Sequence, residues 1–355
     1  VSARKTIAIE SAPAPEPKGR ITINDIARMA QVSKKTVSRV INRSPFVKVE
    51  TREKIDALIS QYGFEPDPQA RGLAFRRSFL IGMVYDNPNP QYVVQLQLGI
   101  LDGLKGSGFE LVIHPCDRAI GTFPEEILTF VERQKLSGVV LTPPVSENQH
   151  LADLIRGSGV PFIRIASVEL DAPERMTLTH DHLGGASAAR HLAGLGHVRI
   201  AHISGPRSFL SSHERRRGLI AALAESGIEF DPRYEYEGAY TVESGVDAAR
   251  VLLALDPRPT AIFAGNDEMA AGVYQVARDM GLKIPEDLSV VGYDDGAASS
   301  RMSPPLTTMR LPIRDMGRVA AETILNERHR RPGEKVAPAE FTPMLVVRGS
   351  TAPPR

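Results

Sequence analysis

Lys34, Lys35, Thr36, Ser38, Arg39 and Asn42 place six polar side chains within nine residues. Val37, Val40 and Ile41 interleave them at helical spacing. If the apolar three turn inward, the polar six turn outward. Ammonium, guanidinium, hydroxyl and amide groups are the ones that hold phosphate oxygens and read base edges. Such chemistry would suit recognition of a nucleic acid. A solvated face on a structural three-helix bundle would use the same residue types, so the spacing alone leaves both readings open.

Covalent chemistry finds little support. There is no Gly-x-x-x-x-Gly-Lys-Ser/Thr phosphate loop, no His-Glu-x-x-His zinc motif and no cysteine pair. His180 and His182 flank Asp181 without a third plausible metal ligand nearby. Asp294 and Asp295 are chain neighbours, and neighbours in a strand or turn point apart, so they do not converge on one bond. No catalytic residue, metal site or cofactor is expected. Cys116 lies beside an apolar run and reads as a small buried core residue.

The elements that must position the donors are short. Ile23, Ile26, Ala27 and Ala30 form one helical face, Gln31-Val32-Ser33 makes a turn, and Val37, Val40 and Ile41 form a second face. Thr22 or Asn24 can cap the first helix and Ser33 the second, through side-chain oxygens offered to unpaired N–H groups. A third helix runs from about Thr51, with Ile55, Leu58, Ile59 and Tyr62 at helical spacing, to Gly63. Helix, tight turn, helix is an arrangement whose second helix lies in the DNA major groove. Residues 1–20, rich in Ala, Pro and charge, read as a disordered arm.

From Phe79 the pattern changes to short apolar runs alternating with amphipathic stretches. Strands are predicted at Leu80–Tyr85, Phe109–Pro115, Gly138–Thr142, Pro161–Ala166, Arg199–Ser204, Ala261–Ala264 and Leu288–Gly292. Helices are predicted between them, such as Tyr92–Lys105, Pro124–Lys135, Leu183–Leu195, Ser212–Glu225, Ser244–Leu253 and Glu268–Met280. This alternation means parallel sheets that bind ligands beyond the carboxyl ends of their strands. The strands are too many for one comfortable sheet. Two subdomains with a cleft between them are expected, 79–178 and 179–311. Helix Ile313–Glu327 and a strand Phe341–Val347 are expected to cross back to the first, giving it 312–349 and leaving a tail of 350–355.

Charge separates the two parts. The whole chain carries 43 Lys+Arg against 42 Asp+Glu, but residues 1–78 hold 15 against 8 and residues 79–355 hold 28 against 34. A basic head, net +7, precedes an acidic body, net −6. One cysteine cannot form an internal disulfide, and no run approaches the ~18 apolar residues of a membrane helix. With no signal-peptide core in the first residues, a cytoplasmic protein without a membrane partner is expected.

A family resemblance then becomes specific. Thr22–Ser33 (TINDIARMAQVS) followed by Lys34–Asn42 (KKTVSRVIN) closely resembles the DNA-binding segment of LacI-family transcriptional regulators. Further matches follow in order at 51–55 (TREKI), 62–66 (YGFEP), 70–73 (ARGL), 195–197 (LGH), 266–269 (NDEM) and 290–295 (VVGYDD). These motifs run from residue 22 to 295, and the resemblance as a whole covers residues 22 to 349. The resemblance implies an N-terminal all-α helix-turn-helix domain over 21–66, a hinge helix and linker over 67–78, and an α/β periplasmic-binding-protein-like body of two parallel-sheet subdomains over 79–349.

By the same resemblance Lys34 and Lys35 choose the operator, Arg39 contacts a base, and Thr36, Ser38 and Asn42 mainly hold phosphates, with Thr22 and Ser33 in the DNA-binding set. Leu73 matches a hinge leucine that wedges into the minor groove and kinks the central base step; Ala70 matches the small residue before it, and Arg71 lies between them. Gly72 and Pro68 leave that segment poised between coil and helix. In the body, Arg215 stands at the family's ligand-arginine spacing before Gly218. Asn266 and Asp294 match polar ligand positions, and Tyr240 an aromatic position that stacks on a sugar. Asp86 is a further polar candidate. Where some members carry an acidic ligand residue after the fourth strand, this chain has Ile165-Ala166-Ser167, so Arg164 and Ser167 are expected to take that role. Asp267 and Asp295 are expected to cap helices or stabilise turns.

The implied protein is a homodimer that reads a near-palindromic double-stranded DNA operator, most simply a repressor of a carbohydrate-utilisation operon. Its effector is expected to be a neutral or acidic saccharide, with a nucleobase-type or corepressor effector second. The resemblance also implies a dimer rather than a tetramer, because family members that tetramerise carry an extra apolar heptad helix at the C-terminus and none occurs in the last residues here. A sugar-binding transport component and an enzyme on the same body are the competing classes.

Overall fold

The computed structural model describes residues 21–41, 46–64, 78–327 and 336–355. The proposed arm, Asn42, and the hinge with Ala70, Arg71 and Leu73 lie outside the described residues. The chain forms two compact units, Val1–Arg76 and Arg77–Arg355.

The first unit holds α1 (Ile23–Ala30), α2 (Lys34–Ile41) and α3 (Val49–Tyr62). Ile26, Ala27, Ala30, Val37, Val40, Ile55 and Phe64 form its core, with Leu58, Ile59 and Val32 packed against it. Thr22 starts α1, and the Asp25 carboxylate accepts both the Thr22 N–H at 3.1 Å and its hydroxyl at 2.6 Å. Asn24 lies inside the helix and does not start it. Gln31, at φ 57°, makes the turn in left-handed backbone, and the Ser33 hydroxyl accepts the Thr36 N–H at 3.1 Å to start α2. Gly63, also left-handed at φ 57°, ends α3 and returns Phe64 to the core.

The second unit contains β1 (Leu80–Tyr85), α4 (Pro90–Leu104), β2 (Glu110–Pro115), α5 (Phe123–Arg133), β3 (Gly138–Leu141), α6 (Gln149–Ser158), β4 (Phe162–Ala166) and β5 (Met176–Thr179). It continues with α7 (Asp181–Gly194), β6 (Ile200–Ser204), α8 (Leu210–Glu225), β7 (Glu235–Glu237), α9 (Val242–Leu253), β8 (Ala261–Ala264), α10 (Asp267–Asp279), β9 (Ser289–Asp294) and β10 (Thr307–Arg310). Then come α11 (Ile313–Glu327), β11 (Ala339–Phe341) and β12 (Met344–Val346). Two six-stranded sheets result, ordered β11-β5-β4-β3-β1-β2 and β12-β10-β9-β8-β6-β7. Among the described residues all pairings are parallel except β10 with β12. Among the described residues no helix is long and apolar enough to cross a membrane.

The sheets define two lobes, and the chain passes between them three times: after Thr179, after Arg310 and after Phe341. Helix α11 packs on α4 in the first lobe. The segment expected as one strand, 341–347, is split at Thr342-Pro343: β11 extends the first sheet beside β5 and β12 extends the second beside β10. A Pro has no N–H to give to a ladder, so a break falls naturally there. The tail is anchored to the second lobe, where Ser350 O accepts the Val290 N–H at 2.9 Å and the Ser350 hydroxyl accepts the Thr307 N–H at 2.8 Å.

Further elements depart from the sequence pattern. Met176–Thr179 and Thr307–Arg310 are strands although half their residues are threonine, and Thr177, Thr307 and Thr308 are buried. Strand β7, Glu-Tyr-Glu, is a charged sheet edge. Cys116 is half-buried at the margin of the first lobe, and burial pushes its thiol up to about 12.

Helices α7 and α8 lie in contact because both present glycine to the other's backbone. A Cβ on Gly185 would fall 2.0 Å from Arg215 O, and one on Gly218 would fall 1.8 Å from His182 O. That approach sets the height of Arg215 above the second sheet.

Candidate nucleic-acid face and effector cleft

On α2 the buried side is Val37 and Val40, while Lys34, Lys35 and Arg39 are exposed. The three cations form no ion pair among the described residues. Thr36 and Ser38 are half-buried, and the Thr36 hydroxyl is 2.9 Å from that of Ser33. Thr22 is exposed at the start of α1. Val37 and Val40, 0% and 3% exposed, anchor the helix in the core and leave the row of cations facing outward, a surface suited to a polyanion.

In the second unit, the carboxyl ends of strands from both sheets face one cleft. It encloses about 420 Å³, part of it open to solvent, and its lining includes Asn87, Asn89, Tyr92, Asp181, Arg215 and Asp294. Phe209, Ser211, Tyr240 and Asn266 complete its second-lobe wall. Arg215 is 6% exposed. Its Nε donates to Asp181 Oδ1 at 2.8 Å, its Nη1 donates to Gly265 O, and its Nη2 stands 3.9 Å from Asp294 Oδ1. The guanidinium lies 3.5 Å from the centre of the Tyr293 ring, whose hydroxyl also donates to Asp181, at 3.0 Å. Burial opposes the charge on Arg215, but Asp181, Tyr240, Tyr293 and Asp294 outweigh it and hold its pKa well above the usual value.

Asp294 ends β9 at φ 101°, and Tyr240 has φ 62°, so two cleft residues occupy backbone conformations that cost energy for any residue with a Cβ. Burial pushes the Asp294 carboxyl up to about 7, with Arg215 opposing the rise and Asp181 reinforcing it. Asn89, from the first lobe, donates its Nδ2 to Asp294 Oδ2 at 3.0 Å. The same Asn89 caps α4, its Oδ1 accepting from Gln91 and Tyr92. Tyr240 meets Phe209 edge to face at 5.2 Å. Its buried hydroxyl has no hydrogen bond of good geometry, with Ser211 beside it.

Thus Arg215, Tyr240, Asn266 and Asp294 come together in one cleft. Asn266 is committed locally: it caps α10 by accepting from the Met269 N–H at 2.9 Å and donates to Tyr240 O at 3.0 Å. Arg164 is a correction. It sits inside the first lobe, 0% exposed, donating to Ser146 O, Gln149 Oε1 and Leu170 O beside Asp171. In a strand buried on both sides its side chain stitches loops together and does not reach the cleft wall. Asp86 also lies outside the lining. It holds Arg118 at 3.0 Å, and Arg118 Nη2 donates across to Ser208 at 3.3 Å. Asp267 accepts from the Gly296 N–H and the Thr308 hydroxyl, and Asp295 pairs with Arg310 and Arg348, so both stabilise the turn after β9.

The sequence reading missed Asp181, Asn89, Tyr92 and Phe209. Asn89 before Pro90 carries a helix-start signal that marks the cap facing the cleft. Asp181 carries none, because its partner Arg215 is 34 residues away.

Residues 22–67 match the family described as bacterial regulatory proteins, lacI family, and residues 189–351 match the periplasmic binding protein-like domain. The chain is 31% identical over 329 residues to the ribose operon repressor of Escherichia coli (strain K12), covering 93% of this chain and 99% of that one. A solved lac repressor dimer, bound to operator and the anti-inducer ONPF, is similar with a TM-score of 0.76 and 28% identity over 94% of this chain and 100% of that chain. A LacI-family transcriptional regulator from Enterococcus faecium with bound ribose has a TM-score of 0.70 and 27% identity over 77% of this chain and 99% of that chain. With a helix-turn-helix unit, a two-lobed body and this similarity along nearly its whole length, the chain belongs to the lacI family of bacterial regulatory proteins, DNA-binding repressors without catalytic machinery.

Proposed function

We propose that this regulator is a cytoplasmic homodimeric repressor of a carbohydrate-utilisation operon, and that a saccharide in the cleft changes its affinity for a near-palindromic operator. The observation that carries the effector class is the cleft itself. Carboxylates, amides and a guanidinium can pair with adjacent hydroxyls, and Tyr92, Phe209 and Tyr240 supply aromatic surface for the apolar face of a sugar ring. Two carboxylates, Asp181 and Asp294, surround the one cleft guanidinium, Arg215. That balance favours a neutral saccharide over an acidic one. The relative that represses a ribose operon and the regulator crystallised with ribose support the same class.

On the DNA side, Lys34, Lys35 and Arg39 contact base edges and phosphates from α2, with Thr22, Ser33, Thr36, Ser38 and Asn42 around them and Ala70, Arg71 and Leu73 at the minor groove. The relative bound to operator as a dimer supports two-fold docking. Val94, Leu98 and Leu101, exposed at 46%, 38% and 47% along one face of α4, with Ile113 on the neighbouring strand, form the apolar surface for the partner protomer.

The test is a gel shift on the upstream region of the protein's own gene, with ribose and other neutral sugars, uronates and purines in separate lanes. A neutral sugar is expected to change operator affinity and uronates to leave it unchanged. A response to purines alone would overturn the saccharide reading, and absence of specific DNA binding under every condition would overturn the operator reading. Leu73→Ala is expected to weaken operator binding far more than sugar binding; equal losses would remove the wedge role.

A further inference from the structure

Glu147 is a carboxylate that neither interface uses. It ends the short turn Val145–Glu147 that follows β3 in the first lobe. Its two oxygens stand 3.2 and 3.1 Å from the backbone N of Leu210, which donates to them. Leu210 opens α8 in the second lobe. Phe209, at the cap position before it, provides no side-chain cap for the first N–H groups of that helix. A helix start whose own sequence supplies no cap is therefore capped from the opposite lobe. In its second turn the same helix carries Arg215.

We propose that Glu147 is the clasp between the two lobes and a positioning residue for Arg215, setting the balance between open and closed forms of the effector cleft. Among the described residues, two other side-chain bonds near the cleft join parts of the two lobes that are far apart in the sequence, Asn89 to Asp294 and Arg118 to Ser208. The Asn89 bond ends on a cleft-lining carboxylate, where an effector competes for the same oxygen atoms. The Arg118 bond ends on an exposed hydroxyl. The Glu147 bond lies outside the cleft lining and grips the backbone of the helix that bears the cleft guanidinium. It therefore survives ligand entry and transmits lobe position directly to Arg215.

The charged groups facing Glu147 are Arg118 from the loop after β2, Arg164 from β4 and Asp181 from the start of α7. Burial pushes the Glu147 carboxyl up to about 7, the Leu210 N–H and Arg118 opposing the rise and Asp181 adding to it. Opening the lobes returns the group toward its ordinary value of 4.5, so the closed form holds a proton that the open form releases between these two values. Lower pH thus favours closure, and raising the pH through about 7 loosens the clasp. Asp294, also raised to about 7 by burial, works in the same direction.

The clasp rests on the reading of the cleft as an effector site, but its test needs neither effector nor DNA. Amide hydrogen exchange is followed at Leu210 in the full-length protein and in Glu147→Ala and Glu147→Gln, with rates corrected for intrinsic pH dependence. Glu147→Ala is expected to raise Leu210 exchange at least tenfold while core amides such as Ile262 keep wild-type rates. Between pH 6 and 8 wild-type exchange is expected to rise, and that rise to fall by at least half in Glu147→Gln. Leu210 exchange within twofold of wild type in Glu147→Ala, or an undiminished pH response in Glu147→Gln, would overturn the proposal. If core amides also quicken in Glu147→Ala, the near-isosteric Gln variant decides. A chain that shows the clasp but no operator binding would lose the repressor reading alone.

Discussion

The α2 face and the cleft both depend on cationic side chains, but they hold them in opposite states. Lys34, Lys35 and Arg39 are exposed and form no ion pair among the described residues. Arg215 is buried, bonded to Asp181 and Gly265 O and stacked on Tyr293. The first arrangement costs the fold little and leaves its charge available, so a polyanion bound there would owe its binding energy to displaced counterions and lose it with salt. The second has been taken out of water, where a cation is tolerated only with its counter-charge in place. A family of regulators needs both: a surface that any polyanion can approach and a pocket that admits few molecules.

This contrast is tested most severely at Asp181. Asp181→Ala leaves Arg215 buried beside a single, partly protonated carboxylate and is expected to destabilise the Arg77–Arg355 unit by about 3–5 kcal/mol. Calorimetric unfolding checks it; a loss below ~1 kcal/mol would mean that Arg215 is better solvated than its burial indicates. Arg39→Ala on the exposed side is expected to leave unfolding unchanged, weaken operator binding by about 1–3 kcal/mol and lower the salt slope by about 1. Fluorescence anisotropy at several salt concentrations measures both. A change in stability as large as the change in binding would erase the distinction between the two regions.

Per pH unit, the response to acid is smaller. The Asp294 carboxyl rises from 3.8 to about 7 on folding, so between those values the folded chain binds more protons than the unfolded one. Stability is therefore expected to fall as pH rises through that window, by at most about 1.4 kcal/mol per unit for each such group. Above about 7 the contribution is lost and the curve flattens. Denaturant unfolding at pH 5, 6, 7 and 8 checks it, and Asp294→Asn is expected to reduce the slope. The smallest effect is expected from Tyr240→Phe, which removes a buried hydroxyl without a good hydrogen bond and shifts stability by less than about 1 kcal/mol. Weakened effector binding by the same variant would assign that hydroxyl to the ligand.

Much of the architecture was legible as local pattern. Strands such as Leu80–Tyr85 and Ala261–Ala264 are runs of apolar residues with clear ends, and helix Ile313–Glu327 is fully periodic. Strands Met176–Thr179 and Thr307–Arg310 were not, because their threonines gain burial only from neighbours in the sheet. Four of the six proposed effector residues line the cleft. Arg164 was misassigned because a buried arginine bonded to loop carbonyls has the same letter as one facing a ligand.

By itself the sequence determined the modules, their order, the opposite charges of head and body, and the donors presented by α2, since these follow from residue type and periodicity within a few turns of chain. Only the tertiary structure decided which polar groups meet. Asp181 reaches Arg215, Asn89 reaches Asp294 and Glu147 reaches Leu210 across 34, 205 and 63 residues. No local periodicity encodes such pairs; two sheets and three chain crossings bring them together, and burial then pushes the carboxyls of Asp294 and Glu147 upward.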